Sequence, residues 1–212
     1  MQILDFKDKK IKILCLGAHP DDIEIGCGGS LLKLTSTYDT EVNWVVFSAS
    51  EERKNEAITS ANKFLEKSNK KTIIIKDYKE SFFPYEGEKI KKYFYEIQDY
   101  NPDLIFTHFK MDGHQDHKTI NELTWNTFRN NTILEYEIPK YDGDISNPNL
   151  YIILDKEQCR NKIKYINETF QTQQNKHWFN EQTFWSILTI RGVESRSATK
   201  YAEAFYANKI VI

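Results

Sequence analysis

Two short stretches of the chain concentrate side chains that hold metals and move protons. The first, Gly17-Ala18-His19-Pro20-Asp21-Asp22-Ile23-Glu24, follows the apolar run Ile11–Leu16. The second, His108-Phe109-Lys110-Met111-Asp112-Gly113-His114-Gln115-Asp116-His117, follows the apolar run Leu104–Thr107. The chain has 5 histidines, and His19, His108, His114 and His117 all fall in these two stretches. His19 and Asp22 stand at i and i+3, so on a helical turn they face the same way and Asp21 points elsewhere. One turn can thus supply two metal ligands and a separate free carboxylate. A hydrolytic metal site needs such a set, with an open position for water and a base beside it. A second loop of the same composition can converge on the same ion. The plainer alternative, a turn-and-cap role for His19 and Asp22, loses weight once both loops are considered together.

The elements that must position these loops alternate. A buried strand is expected over residues 11–17, then a helix from about Glu24 to Thr37, a strand over 41–48 and a helix capped by Ser50 to about Lys67. A strand over 72–75, a helix over 86–100, a strand over 104–107 and a helix from His117 to about Phe128 continue the pattern. Strands over 132–138 and 150–154 follow, with Asp142-Gly143-Asp144 as a turn between them. Asp155 caps a helix to about Phe170. Residues 171–180 read as a polar loop, 181–190 as a helix and 204–212 as a last strand. Alternating β and α predicts an α/β fold with a mainly parallel sheet covered on both faces. Both loops then sit at the carboxyl ends of strands, where open α/β sheets build their sites.

Composition narrows the class. Residues 1–212 read as one domain, 40% hydrophobic and 28% charged, which is the globular range. A net charge of −2 with mixed signs carries no footprint for nucleic acid. Cys15, Cys27 and Cys159 are odd in number and form no CxxC, which suits reduced thiols in a cytoplasmic protein. The stretch Met1–Lys7 lacks the apolar core of a signal peptide, and no run approaches the length of a membrane span. Oligomeric state is not legible.

His19-Pro20-Asp21-Asp22 after a strand, with His114-Gln115-Asp116-His117 further on, resembles the PIG-L (LmbE-like) family of zinc-dependent N-deacetylases. Arg53 and Glu56 resemble a family Arg-x-x-Glu helix. Arg191-Gly192-Val193-Glu194-Ser195 and Tyr201-Ala202-Glu203-Ala204-Phe205 resemble its C-terminal segment. One departure is Ile23 before Glu24, where many members place a glutamate directly after the second aspartate. The resemblance implies a Rossmann-like sheet, one divalent ion and removal of an acetyl group from an N-acetylated amino sugar or sugar conjugate. It implies His19, Asp22 and His117 as metal ligands, Asp21 as general base and His114 as acid or oxyanion stabiliser. Asp116 would orient one of the histidines, or else cap the following helix. The ion is usually zinc, and ferrous iron suits the same N/O ligands.

Arg53 is a candidate substrate anchor, with pairing to nearby acids as its alternative. His108 reads as a packed residue behind the ligands and His177 as a loop histidine. Arg191, Glu194 and Arg196 read as a structural ion-pair set. Phe82, Phe83, Tyr85, Trp125 and Trp185 read mostly as core. Two other functions stay open. One is a nucleotide- or sugar-binding module without catalysis, although the glycine spacing departs from GxGxxG and two aspartates would repel a pyrophosphate. The other is a metal hydrolase acting on a different amide or a phosphoester.

Overall fold

Ile11–Gly17 forms β1 because its side chains alternate between two apolar layers and stay buried on both faces. The computed structural model describes residues 10–210. The N-terminal stretch without a signal-like core and the last two residues of the expected final strand lie outside them. The order is β1 (Ile11–Gly17), α1 (Asp22–Thr37), β2 (Thr40–Val46), α2 (Glu51–Phe64), β3 (Lys70–Ile75), α3 (Gly87–Ile97), β4 (Leu104–His108), α4 (Gln115–Thr127) and β5 (Thr132–Tyr136). It continues with β6 (Leu150–Leu154), α5 (Lys156–Thr169), α6 (Glu181–Glu194) and β7 (Tyr201–Tyr206).

Among the described residues these strands form one sheet of 7 in the order β3-β2-β1-β4-β5-β7-β6. The five strands from β3 to β5 are parallel, and β7 runs antiparallel between β5 and β6. This is the mainly parallel α/β sheet that the alternation predicts. From β1 the chain winds outward to β2 and β3, then crosses to β4 on the other side. The gap between β1 and β4 is therefore the switch point where a crevice opens at the strand ends. Their register, Ile13 beside Leu104 and Cys15 beside Phe106, brings the two His/Asp loops side by side.

One face packs Ile13, Cys15, Trp44 and Phe106 against α1, α2, α5 and α6, through Leu31, Phe64, Ile163 and Leu188. The other packs Leu14, Leu16, Val45 and Phe47 against α3 and α4, through Ile90, Phe94 and Ile120. A side chain at Gly26 would drive into the ring of Tyr136, so only glycine lets α1 lie this close to the sheet. The Tyr136 hydroxyl in turn donates to Leu16 O at 2.7 Å and ties β5 to the end of β1.

Several boundaries differ from expectation. Helix α1 starts at Asp22 and α4 at Gln115, each two residues early, so ligand-type residues lie inside first helical turns. Helix α2 stops at Phe64, and α3 ends at Ile97 with a 3-10 turn over Gln98–Tyr100. Helix α6 runs on to Glu194, and β7 is Tyr201–Tyr206 rather than 204–212. Ser50 and Asp155 are the caps expected of them, Asp155 with a full capping box. Of the aromatics read as mostly core, Phe83 is core, whereas Phe82 and Tyr85 are exposed. Aromatic type alone does not fix burial.

Candidate metal centre

The turn after β1 is strained. Asp21 sits at the N-cap of α1 with φ 93°, a left-handed conformation that costs a non-glycine residue roughly 1–3 kcal/mol. Its carboxylate makes no capping bond. Instead His19 N donates to Asp22 Oδ2 at 2.7 Å, which closes the turn and sets His19 and Asp22 together. Arg53 Nη2 donates to Pro20 O at 2.5 Å and lies 3.3 Å from Asp21 Oδ2, so the guanidinium clamps the strained segment.

The loop after β4 reaches the same place from the neighbouring strand. His19 Nδ1 faces His117 Nε2 at 3.2 Å. Asp22 lies 3.5 Å from each of those nitrogens, through Oδ2 to His19 and Oδ1 to His117. Ligand atoms about 2.0–2.1 Å from a tetrahedral ion are themselves about 3.3–3.4 Å apart. These contacts are of that order, with the two histidines meeting different oxygens of Asp22. The ligand atoms of His19, His114 and His117, and those of Asp22, His108 and His117, also converge closely enough to hold an ion. His19, Asp22 and His117 are all buried.

The far nitrogen of each ring meets a carboxylate. His19 Nε2 is 3.1 Å from Asp116 Oδ2, and His117 Nδ1 is 2.9 Å from Asp112 Oδ2. A proton held on each outer nitrogen fixes the tautomer and aims a lone pair inward, the usual second layer of a metal–histidine site. Asp116 is itself held by the backbone N–H groups of Ser81 (2.6 Å) and Phe83 (3.1 Å). Asp116 does not cap the helix. His114 does, its Nδ1 accepting from Asp116 N at 3.2 Å. A neutral His114 therefore carries its proton on Nε2 and has that N–H to donate. Its ring centroid lies 4.8 Å from that of His19 and 4.7 Å from that of His117.

His108 is fully buried and stacks on His117 at 3.8 Å, as a packed residue behind the ligands should. Its Nε2 accepts from Ala18 N at 2.9 Å. His177 is exposed in the polar loop, where its backbone N–H donates to the Tyr141 hydroxyl. Arg53 is paired with Asp21 rather than free, and its Nη1 lies 4.0 Å from Glu80. Cys27 is a core thiol bonded to Ile23 O.

Electrostatics reflect the crowding of charge. Burial lowers the His19 pKa, but hydrogen bonds with Asp116 and Asp22 outweigh it and raise the value to about 10. Burial and the nearby His108 push His117 down to about 3. Without an ion, the single proton between the facing nitrogens thus belongs to His19. Burial raises Asp21 to about 7, against the opposing Arg53 charge. Burial would also raise Asp22 and Asp112. The surrounding histidines hold Asp22 well below the carboxylate range, and His117, His108 and Lys140 do the same for Asp112. Burial and the His19 charge lower His114, which favours its neutral form. Burial raises Glu24 to about 8, only partly opposed by the neighbouring Ser60 and its own backbone N–H.

Sequence reasoning missed Asp112 as the second carboxylate behind a histidine. The signal was available: Asp112 lies five residues before His117, in the same loop. Lys140 was missed outright, because nothing in its local sequence points to a loop more than twenty residues away.

An open, mainly parallel α/β sheet with a buried His/Asp cluster at its switch point defines the class of protein. The sequence profile of the PIG-L family, described as GlcNAc-PI de-N-acetylase, matches residues 14–128, just over half of the chain. The chain belongs to the PIG-L family. It is 56% identical over 32 residues to the uncharacterized deacetylase YaiS of Escherichia coli (strain K12), a match spanning 15% of this chain and only 17% of that relative. The fold resembles that of the N,N'-diacetylchitobiose deacetylase from Pyrococcus horikoshii, with TM-score 0.72 and 23% identity over 94% of this chain and 84% of that one. It also resembles GalB, the 4-carboxy-2-hydroxymuconate hydratase from Pseudomonas putida KT2440, with TM-score 0.73 and 14% identity over 96% of this chain and 98% of that one. At these identities the likeness concerns the fold. No described helix is long and apolar enough to cross a membrane.

Proposed function

We propose that this protein is a metal-dependent N-deacetylase that releases acetate from an N-acetylated amino sugar or sugar conjugate. One observation carries the reading. His19, Asp22 and His117 stand 3.2–3.5 Å apart, with a carboxylate behind each ring. Two imidazoles and one carboxylate suit zinc, which leaves a further position open, and ferrous iron is the alternative. Such an ion lowers the pKa of a coordinated water to about 7 and polarises a carbonyl.

The chain's own residues then divide the work. Asp21 is not needed as a ligand and, with a pKa near 7, takes the proton of the attacking water and passes it to the amide nitrogen. The strained turn keeps its carboxylate beside the ligands instead of on the helix cap. Arg53 holds that carboxylate in place, and its Nη1 is the candidate contact for a substrate hydroxyl or phosphate. His114 donates Nε2–H to the carbonyl oxygen as negative charge develops there. Asp116 and Asp112 keep the ligand rings in the required tautomer. We read the described chain as one domain, since strands from both of its ends share one sheet, and as cytoplasmic from its three free cysteines.

Acetate release from a panel of N-acetylated amino sugars, free and conjugated to lipid, inositol or nucleotide, tests the reaction. Asp21→Asn should retain the metal while kcat falls about 100- to 10,000-fold. Undiminished turnover in Asp21→Asn would remove the proposed base. A second reading, hydration of an unsaturated acid, has one observation in its favour: GalB shares the fold. Acetate release by the wild type would decide against it.

A further inference from the structure

The connection from β5 to β6, residues 137–149, is fastened at both ends. At its base Arg191 donates to both Glu137 oxygens, each at 2.7 Å, and to Ser146 O at 3.0 Å. At its tip it lies on the loop after β4. Asp144 Oδ2 accepts from Gly113 N at 2.6 Å. Asp142 packs so closely on Gly113 that a side chain there would begin 2.7 Å from its Cβ. Lys140 lies in the middle, 9% exposed at the side chain, with Nζ 3.0 Å from Asp112 Oδ2 and 3.7 Å from Asp142 Oδ2, and bonded to Asp144. Three carboxylates that converge closely enough to hold a cation thus enclose an ammonium supplied by the chain.

Asp112 links this cage to the chemistry. The same Oδ2 that meets Lys140 accepts from His117 Nδ1 at 2.9 Å, and Oδ1 accepts from His114 N at 2.7 Å. Only a carboxylate whose position is fixed can hold His117 in the tautomer that aims Nε2 inward. Lys140 is the one side-chain cation in salt-bridge contact with Asp112 among the described residues. We propose that Lys140 is a positioning residue for the His117 ligand, acting through Asp112, and that the 137–149 strap is the outer support of the metal centre. The inference rests on the metal reading above. It also gives the C-terminal Arg191 a task at a distance: holding the base of the strap that carries Lys140.

The test is zinc affinity of the metal-free protein, measured by competition with a chromophoric chelator, alongside the visible spectrum of the cobalt-substituted form. Lys140→Met and Lys140→Gln should each weaken zinc binding about 10-fold and alter the cobalt bands, the usual scale for loss of an outer partner. Lys140→Gln keeps most of the stem and removes the charge, so it remains informative if the methionine variant folds poorly. Lys140→Arg should restore affinity to within about 3-fold of wild type. Wild-type affinity and spectrum in both Lys140→Met and Lys140→Gln would overturn the role of Lys140 alone. Failure of the wild type to bind one ion would overturn the metal reading itself.

Discussion

Two regions of this molecule bury charge, and they do it differently. Toward the C-terminus, Lys162 Nζ donates to Glu203 and to Ile25 O, each at 2.6 Å. Glu203 also accepts from Gly29 N, Ser30 N and the Ser30 hydroxyl. Arg191 likewise spends its donors on Glu137, Glu194 and Ser146 O. Each donor in these sets meets an acceptor of opposite character; the first set ties α1, α5 and β7 together, and the second ties α6 to the connection after β5. At the β1/β4 crevice, two ring nitrogens instead point at each other with one proton between them, beside a strained aspartate. A fully matched cluster is complete as it stands. A cluster in which two ring nitrogens share one proton beside a carboxylate is one that a bound cation would also satisfy, and we read that contrast as the one between structure and site.

The contrast can be tested from both sides. Removing a charge from the Lys162–Glu203 set should cost stability and nothing else. Lys162→Met leaves Glu203 buried without its cation, and breaking such a pair costs about 3–5 kcal/mol. Urea unfolding should show that loss while zinc stoichiometry stays unchanged. A loss of metal with full stability would mean that the two regions are not separate.

A smaller effect is expected at Glu24, a buried carboxylate of α1 without a charged partner to offset its burial. Burial raises its pKa from 4.5 to about 8. A raised acid favours the folded state below the unfolded pKa, and that contribution is lost as pH rises through the folded value. Stability of the metal-free protein should therefore decline between pH 4.5 and 8 on its account. Glu24→Gln should flatten that slope, with a gain on the order of 1–3 kcal/mol at the alkaline end. Thermal melts of both proteins at pH 5 and pH 9 measure it. An equal difference at the two pH values would contradict the assignment.

Much of this was legible before any coordinates. Strand periodicity placed the His19 and His117 loops at strand ends, and the parallel alternation put those ends on one side of the sheet. Element type survived where boundaries did not. Helices α1 and α4 start early because Asp21, a cap-type residue that makes no cap bond, and His114, an unusual cap, turn the chain into them. What stayed hidden was long-range pairing. Arg53 could be read either as a substrate anchor or as a partner of nearby acids, because its actual partner, Asp21, lies across a crossover. Lys140 drew no reading at all because Asp112 lies on another strand end. The insertion of β7 between β5 and β6 depends on an antiparallel return that local patterns do not encode.

The central claim is that His19, Asp22 and His117 share one cation, and titration of metal-free protein with zinc tests it most directly. At pH 8 His19, with a pKa near 10, holds a proton that a ligand must give up, while His117 is already neutral. Calorimetry in buffers of different ionisation enthalpy should show one zinc per chain and release of at least one proton per ion, with both lost in His19→Ala and His117→Ala. Absence of stoichiometric binding, or unchanged binding in those two variants, would contradict the account.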